Sequence, residues 1–203
     1  PLGYFETSAE TIAFFEQLRA EHPNDARLAA HLGVNYDTCH LAVEYEEADD
    51  ALGAFRAAGI RISKLHLSAA LKVTPDADTR ARLKPFEEDV YLHQVIERQP
   101  DGTLTRHRDL DAALATHSDA TEWRIHFHIP LHCPDGEWFA STRDHIEGVL
   151  DALQTDPRLC SHLEMETYTW EVLPAEMKNR DVVEQLTGEY DWTLAQLRAR
   201  DLA

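Results

Sequence analysis

Apolar periodicity in this chain switches several times between period two and period 3.6, and no other feature constrains its fold as much. Tyr4-Phe5-Glu6 reads as the end of a strand. Thr7 and Glu10 then have capping-box spacing ahead of a helical stripe of Ile12, Phe15 and Leu18. His31 to Asp37 reads as a second strand. Asp49 to Ala58 predicts a helix with Ala51, Leu52, Phe55 and Ala58 inward and Gly59 closing it, and Ile60 to Ser68 a third strand. Residues 76–117 break the rhythm. Asp78 to Phe86 predicts a short helix, Val90 to Glu97 and Leu104 to His107 a hairpin across Pro100-Asp101-Gly102, and Asp109 to Thr116 another short helix. This stretch reads as an insertion on a regular scaffold. The rhythm resumes with a strand at Glu122 to Pro130 and a helix at Thr142 to Leu153, where Ile146, Val149, Leu150 and Leu153 are in register. A strand at His162 to Trp170 follows, then a helix from about Glu176 to Arg200 with Val183, Leu186, Tyr190, Leu194 and Leu197 inward. Repeated βα units imply a parallel α/β sheet, open or rolled into a barrel.

Composition narrows the function classes. A net charge of −18 over 203 residues, spread along the chain, repels phosphate backbones and anionic lipid, so no nucleic acid is expected as a partner. The apolar runs are too short to span a bilayer, so no direct membrane insertion is expected. Cys39, Cys133 and Cys160 lie far apart without a CxxC spacing. That sparse, odd set fits a reducing compartment, and the expected location is cytoplasmic. The 12 histidines are the unusual component.

In parallel α/β folds the chemistry gathers at the carboxyl ends of the strands. Here each predicted strand ends in a metal-ligand type: Glu6, then Asp37 with His40 after it, His66, the pair His126 and His128, and the pair Glu164 and Glu166. Alternation places His126 with His128 on one face and Glu164 with Glu166 on one face. Any one strand-terminal acid is as readily a helix cap or loop acceptor. Together they form a mixed oxygen and nitrogen set suited to Mn²⁺, Mg²⁺, Fe²⁺, Co²⁺ or Zn²⁺. His31, His93, His107, His117, His145 and His162 lack such context, although the hairpin could bring His93 over the site. Cys39 reads as a small buried residue or a thiol ligand. Lys64 and Arg124 are minor anion-binding candidates, and Trp170 a candidate pocket wall.

These residues carry a resemblance. A strand-end Glu, then DTCH at Asp37 to His40, HLS with His66, an HxH pair and LEMET with Glu166 resemble the xylose isomerase-like TIM-barrel superfamily. That superfamily holds sugar and sugar-phosphate isomerases, epimerases and metal-dependent apurinic-site endonucleases. More narrowly, DTCHLAVEYE, LHQV, RIHFHIPL and HLEMETYTWEVLP, from Asp37 to Pro174, resemble the metabolite-traffic proteins of the EboE type encoded in Ebo clusters. The resemblance implies metal ligands at Glu6, Asp37, His66 and Glu166, with His40, His126 and His128 as secondary ligands. It implies a (β/α)8 barrel of which residues 1–203 form the C-terminal part, about strands four to eight. On that basis the chain is expected to be a fragment of a longer polypeptide, with an apolar sheet edge exposed unless something covers it.

The implied activity is isomerisation or epimerisation of a sugar or polyol-type metabolite through a metal-stabilised enediolate. Glu6 and Glu166 would exchange the proton, and His40 and His128 would orient hydroxyls or shuttle protons. An alternative is a non-catalytic protein that binds and hands on a small-molecule metabolite, with proteins of the same gene cluster as partners. A third is cleavage of phosphodiesters at abasic DNA. Both the negative charge and the replacement of the expected Asp by His126 weigh against it.

Overall fold

The computed structural model describes residues 1–166 and 181–203, so Trp170, the end of the strand expected to reach it and the start of the expected last helix lie outside the described residues. The first element is not a strand: residues 1–6 carry no regular structure, and Glu6 sits just ahead of helix α1 (Ser8–Glu21). Thr7 and Glu10 form the expected capping box, each side chain accepting from the other's backbone N–H. Helix α2 (Ala26–His31) takes the start of the predicted second strand, because the Asp25 carboxylate accepts from Arg27 N–H and caps a helix there. Strand β1 is therefore only Val34–Asp37.

From β1 the chain enters helix α3 (Thr38–Val43) and then α4 (Ala48–Ala57), after which Gly59, at φ +62°, turns into strand β2 (Ile62–Leu67). Strand β8 (Leu163–Met165) completes a three-stranded parallel sheet of order β1-β2-β8. Alternation divides this sheet cleanly. Tyr36, Leu65, Leu67, Leu163 and Met165 pack with Ala51, Leu52 and Phe55 of α4 and with Ile146, Val149, Leu150 and Leu153 of α7 (Arg143–Thr155). The other face carries Asp37, Lys64, His66 and Glu164.

The second sheet departs from the expected rhythm. Ser68 ends β2, and the chain runs straight on into β3 (Ala69–Val73), which pairs antiparallel with β6 (Glu122–Ile129) and with β7 (Ala140–Ser141). Between β3 and β6 lie helix α5 (Ala77–Leu83), the hairpin β4 (Val95–Arg98) and β5 (Leu104–His107), and α6 (Leu110–Ala115). The hairpin forms as the sequence implies. It is built into the architecture, because β4 pairs with β6 in a sheet of order β5-β4-β6-β3-β7. Thus β6, expected parallel beside β2, is antiparallel in a different sheet, and β2 pairs directly with β8. Among the described residues the architecture is mixed α/β with two open sheets and no closed barrel.

Helix α8 (Val182–Arg198) docks with an unexpected face. Gln185, Glu189 and Thr193 are buried, whereas Val183, Leu186 and Tyr190 are exposed. Thr193 donates to Met165 Sδ at 3.2 Å, and Gly188 lies so close to the His132 ring that a Cβ would stand 3.0 Å from Nδ1. No helix among the described residues is long and apolar enough to cross a membrane.

Candidate metal centre

Register brings the first donors together. Asp37 is paired with His66 across β1 and β2, and His66 with Glu164 across β2 and β8. Glu166 follows one residue past the end of β8. Oxygen and nitrogen atoms of Asp37, His66 and Glu166 all lie within 4.8 Å of one another. His66 Nδ1 stands 3.5 Å from Asp37 Oδ2 and 3.8 Å from Glu166 Oε2.

The supporting contacts orient these donors. Asp37 is both cap and ligand candidate: Oδ1 accepts from Cys39 N–H, His40 N–H and Ser68 Oγ, while Oδ2 faces His66 and His40. His66 Nε2 is 3.2 Å from Glu164 Oε2, which also accepts from Lys64 Nζ at 2.7 Å. Asn35 Nδ2 lies 3.3 Å from His66 Nδ1, on the edge of the ring that faces Asp37 and Glu166. Lys64 is thus committed to Glu164. Arg124, the other anion candidate, donates to Ala42 C=O and Glu122 and lies over the Tyr45 ring.

Electrostatics match this geometry. Burial works to raise the Asp37 carboxyl, but the contact with His66, the neighbouring His40 and His128, and the Ser68 hydroxyl outweigh it, holding it below the usual carboxylate range. The Glu166 carboxyl is pushed up, first by burial and then by the charge of Asp37. Contact with Asp37 raises His66. Adjacent like charges of this kind repel unless a cation or proton lies between them.

A second donor group lies beside the first. Helix α3 starts at Asp37 and packs against β3 and β6, which brings its Cys39 and His40 to the His126 and His128 face. His40 Nε2 is 3.1 Å from His126 Nε2, and the His126 and His128 ring centroids are 5.2 Å apart. His128 Nδ1 stands 4.0 Å from Glu166 Oε2. Cys39, His126 and His128 likewise present donors within 4.8 Å of one another. Burial holds His128 down at about 4 and presses His126 well below its ordinary range.

Glu6 stands apart from both groups. Its carboxylate accepts from Gln94 Nε2 at 3.3 and 3.4 Å and from the Leu2 N–H. It lines, with Asp37 and His40, a cleft of about 680 Å³ whose walls include Phe14, Phe15 and Leu41. His93 does not reach the site: Nδ1 donates to His126 C=O at 3.0 Å, and Nε2 meets Glu88 Oε1. His145 is a packing residue joined to the Tyr36 hydroxyl at 2.9 Å. His107 is paired with Glu97 in the hairpin. Asn35, Gln94 and Ser68 were invisible as site residues, since nothing in their spacing marks a hydrogen-bond partner to a ligand.

The donor set fits a divalent cation: carboxylates and imidazoles, one imidazole with its second nitrogen held by a carboxylate, gathered at the carboxyl ends of three parallel strands. Comparison with protein-family models, curated proteins and solved structures returns no match.

Proposed function

We propose that this chain is a divalent-metal-dependent protein that shifts a proton between adjacent carbons of a sugar or polyol-type metabolite, as an isomerase or epimerase of the xylose isomerase-like kind. The observation that carries the reading is the convergence of Asp37, His66 and Glu166 within 4.8 Å. A cation held by these residues (Mn²⁺, Mg²⁺, Fe²⁺, Co²⁺ or Zn²⁺) would supply Lewis acidity to the hydroxyl and carbonyl oxygens of the substrate. Glu166 is the base: burial, and then the charge of Asp37, raises its carboxyl, which strengthens it as a proton acceptor. Glu6, on the cleft wall, would be the second carboxylate, which returns the proton. His40, 39% exposed at its side chain, faces the cleft and orients a substrate hydroxyl. His128, held neutral by burial, stands 4.0 Å from Glu166 Oε2 and would orient a hydroxyl or shuttle a proton there.

The barrel reading belongs here too: the described strands are taken as the later part of a xylose isomerase-like barrel acting in the cytoplasm. Support for it comes from the order of the donors along the chain. Turnover of ketoses, ketose phosphates and polyol lactones by the metal-loaded protein is the test. Activity should vanish in Glu166→Gln; activity that survives this change defeats the mechanism.

A second reading is favoured by the cleft, whose walls are largely aromatic and aliphatic side chains beside Glu6, Thr11, Asn35, Asp37 and His40. A metabolite can be held there by its apolar part and handed on unchanged to proteins of the same gene cluster. Calorimetry showing tight binding without product would support this reading over catalysis.

A further inference from the structure

We propose that Cys39, His126 and His128 form a second cation site, distinct from the Asp37, His66 and Glu166 set, in which the Cys39 thiolate is a ligand and zinc the preferred occupant. The three donors come from two elements, α3 and β6, and converge within 4.8 Å in the interior. Cys39 is fully buried, and His126 and His128 are nearly so. Val43, Ala70 and Ile96 pack around Cys39 and close the site to solvent on that side.

Orientation adds a second, independent argument. His126 Nδ1 lies 3.2 Å from Leu92 C=O, which can only accept, so Nδ1 carries the proton and Nε2 the lone pair. That is the arrangement in which an outer hydrogen bond fixes the tautomer of a ligating imidazole. His40 Nε2 stands 3.1 Å from His126 Nε2, on the flank of this group that faces the cleft. With Zn–N near 2.0 Å and Zn–S near 2.3 Å, neighbouring ligand atoms of a tetrahedral ion stand about 3.5 Å apart, so donors that all lie within 4.8 Å of one another need to draw in by no more than about 1.3 Å. Side-chain rotation supplies a movement of that size.

Donor chemistry separates the two sites. One thiolate with imidazoles selects zinc over magnesium, manganese or calcium, whereas the carboxylate-rich set accepts harder ions. Without a cation Cys39 remains a thiol, raised first by burial and then by the charges of Asp37 and Glu166. On binding, the S–H bond breaks, the sulfur lone pair is donated to the metal and the proton leaves to solvent.

Titration of the reduced, metal-free chain with Co²⁺ under anaerobic conditions tests the proposal. Wild type should develop a near-ultraviolet thiolate-to-cobalt charge-transfer band. Cys39→Ser should lose the band and one equivalent of cobalt, and His66→Ala should keep the band. No band in wild type, a band undiminished in Cys39→Ser, or its loss in His66→Ala would each overturn the proposal. Zinc-edge X-ray absorption of the wild-type protein decides the matter even if Cys39→Ser does not fold. A sulfur neighbour near 2.3 Å supports the site, and a shell of nitrogen and oxygen alone refutes it.

Discussion

Asp37 and His66 are register partners on β1 and β2, and Oδ2 of the first lies 3.5 Å from Nδ1 of the second. The other oxygen of Asp37 holds the start of α3, so one carboxylate fastens the helix that brings in Cys39 and His40 and also faces the site.

This division of labour is separable by mutation. Asp37→Asn keeps an oxygen for the cap and loses the charge, so it should fold with near wild-type stability and lose cation uptake. Asp37→Ala loses both and should be destabilised by about 1–2 kcal/mol in urea unfolding. Equal stability of the two variants would show that the cap contributes nothing.

Metal-free protein should lose stability on acidification between pH 6.5 and pH 4. Burial holds His128 and His145 at about 4 against an ordinary 6.5. A histidine whose folded value is depressed lets the unfolded chain take up its proton first, so its contribution is complete above 6.5 and fades as pH falls toward 4. His66 has the opposite sign: raised by its contact with Asp37, it favours the folded state below 6.5 and its contribution fades as pH rises above that. His40 and His126, also lowered by burial, act in the same direction as His128 and His145. The His66 contribution stays complete below 6.5, so stability rises with pH from 4 to 6.5, and His145→Gln should lessen that rise. Urea unfolding at a series of pH values measures it; a level profile contradicts the assignment.

Glu164 should tune the metal site from outside it. Its carboxylate lies 3.2 Å from His66 Nε2, on the side away from the converging donors. Glu164→Gln should weaken cation binding by about tenfold while leaving the fold intact. Competition with a chromogenic chelator would reveal it, and unchanged affinity would relegate Glu164 to a surface partner of Lys64.

Gly33 fixes the approach of β1 to β2. A Cβ there would stand 2.1 Å from Ser63 Oγ and 2.7 Å from Arg61 C=O, and backbone cannot yield as a flexible side chain does. Gly33→Ala should cost about 1–3 kcal/mol in denaturant unfolding and reduce metal uptake with it. Wild-type stability in this variant would mean that the two strands part easily.

Local features were the legible ones. The capping box of Thr7 and Glu10 and the buried stripe of Ile146, Val149, Leu150 and Leu153 depend on spacing within one element, and both formed. The convergence of Asp37 and His66 was legible for a related reason: parallel register follows from alternation and strand-end position. The second sheet was not legible. The strand expected at Ile60 to Ser68 gives no sign that the chain continues into β3, and the pairing of β3 with β6 joins segments distant in sequence. Glu6 misled because its apolar neighbours Tyr4 and Phe5 resemble a strand, yet both are exposed beside α1. The stripe on α8 holds at Leu197, which packs on the core, and fails toward the start of the helix, where Gln185 and Glu189 bond each other at 2.9 Å and turn inward in place of Leu186 and Tyr190. Cys39 gave no spacing signal, since its partners lie on β6.

Ser68, where β2 passes into β3, donates to Asp37 Oδ1, and its backbone N–H and C=O are both bonded to the Thr38 hydroxyl. The seam between the two sheets is thereby stitched to the root of α3. Sliding one sheet past the other would drag Asp37 out of line with His66, so the grip on a cation and the mutual alignment of the sheets rise and fall as one mechanical unit.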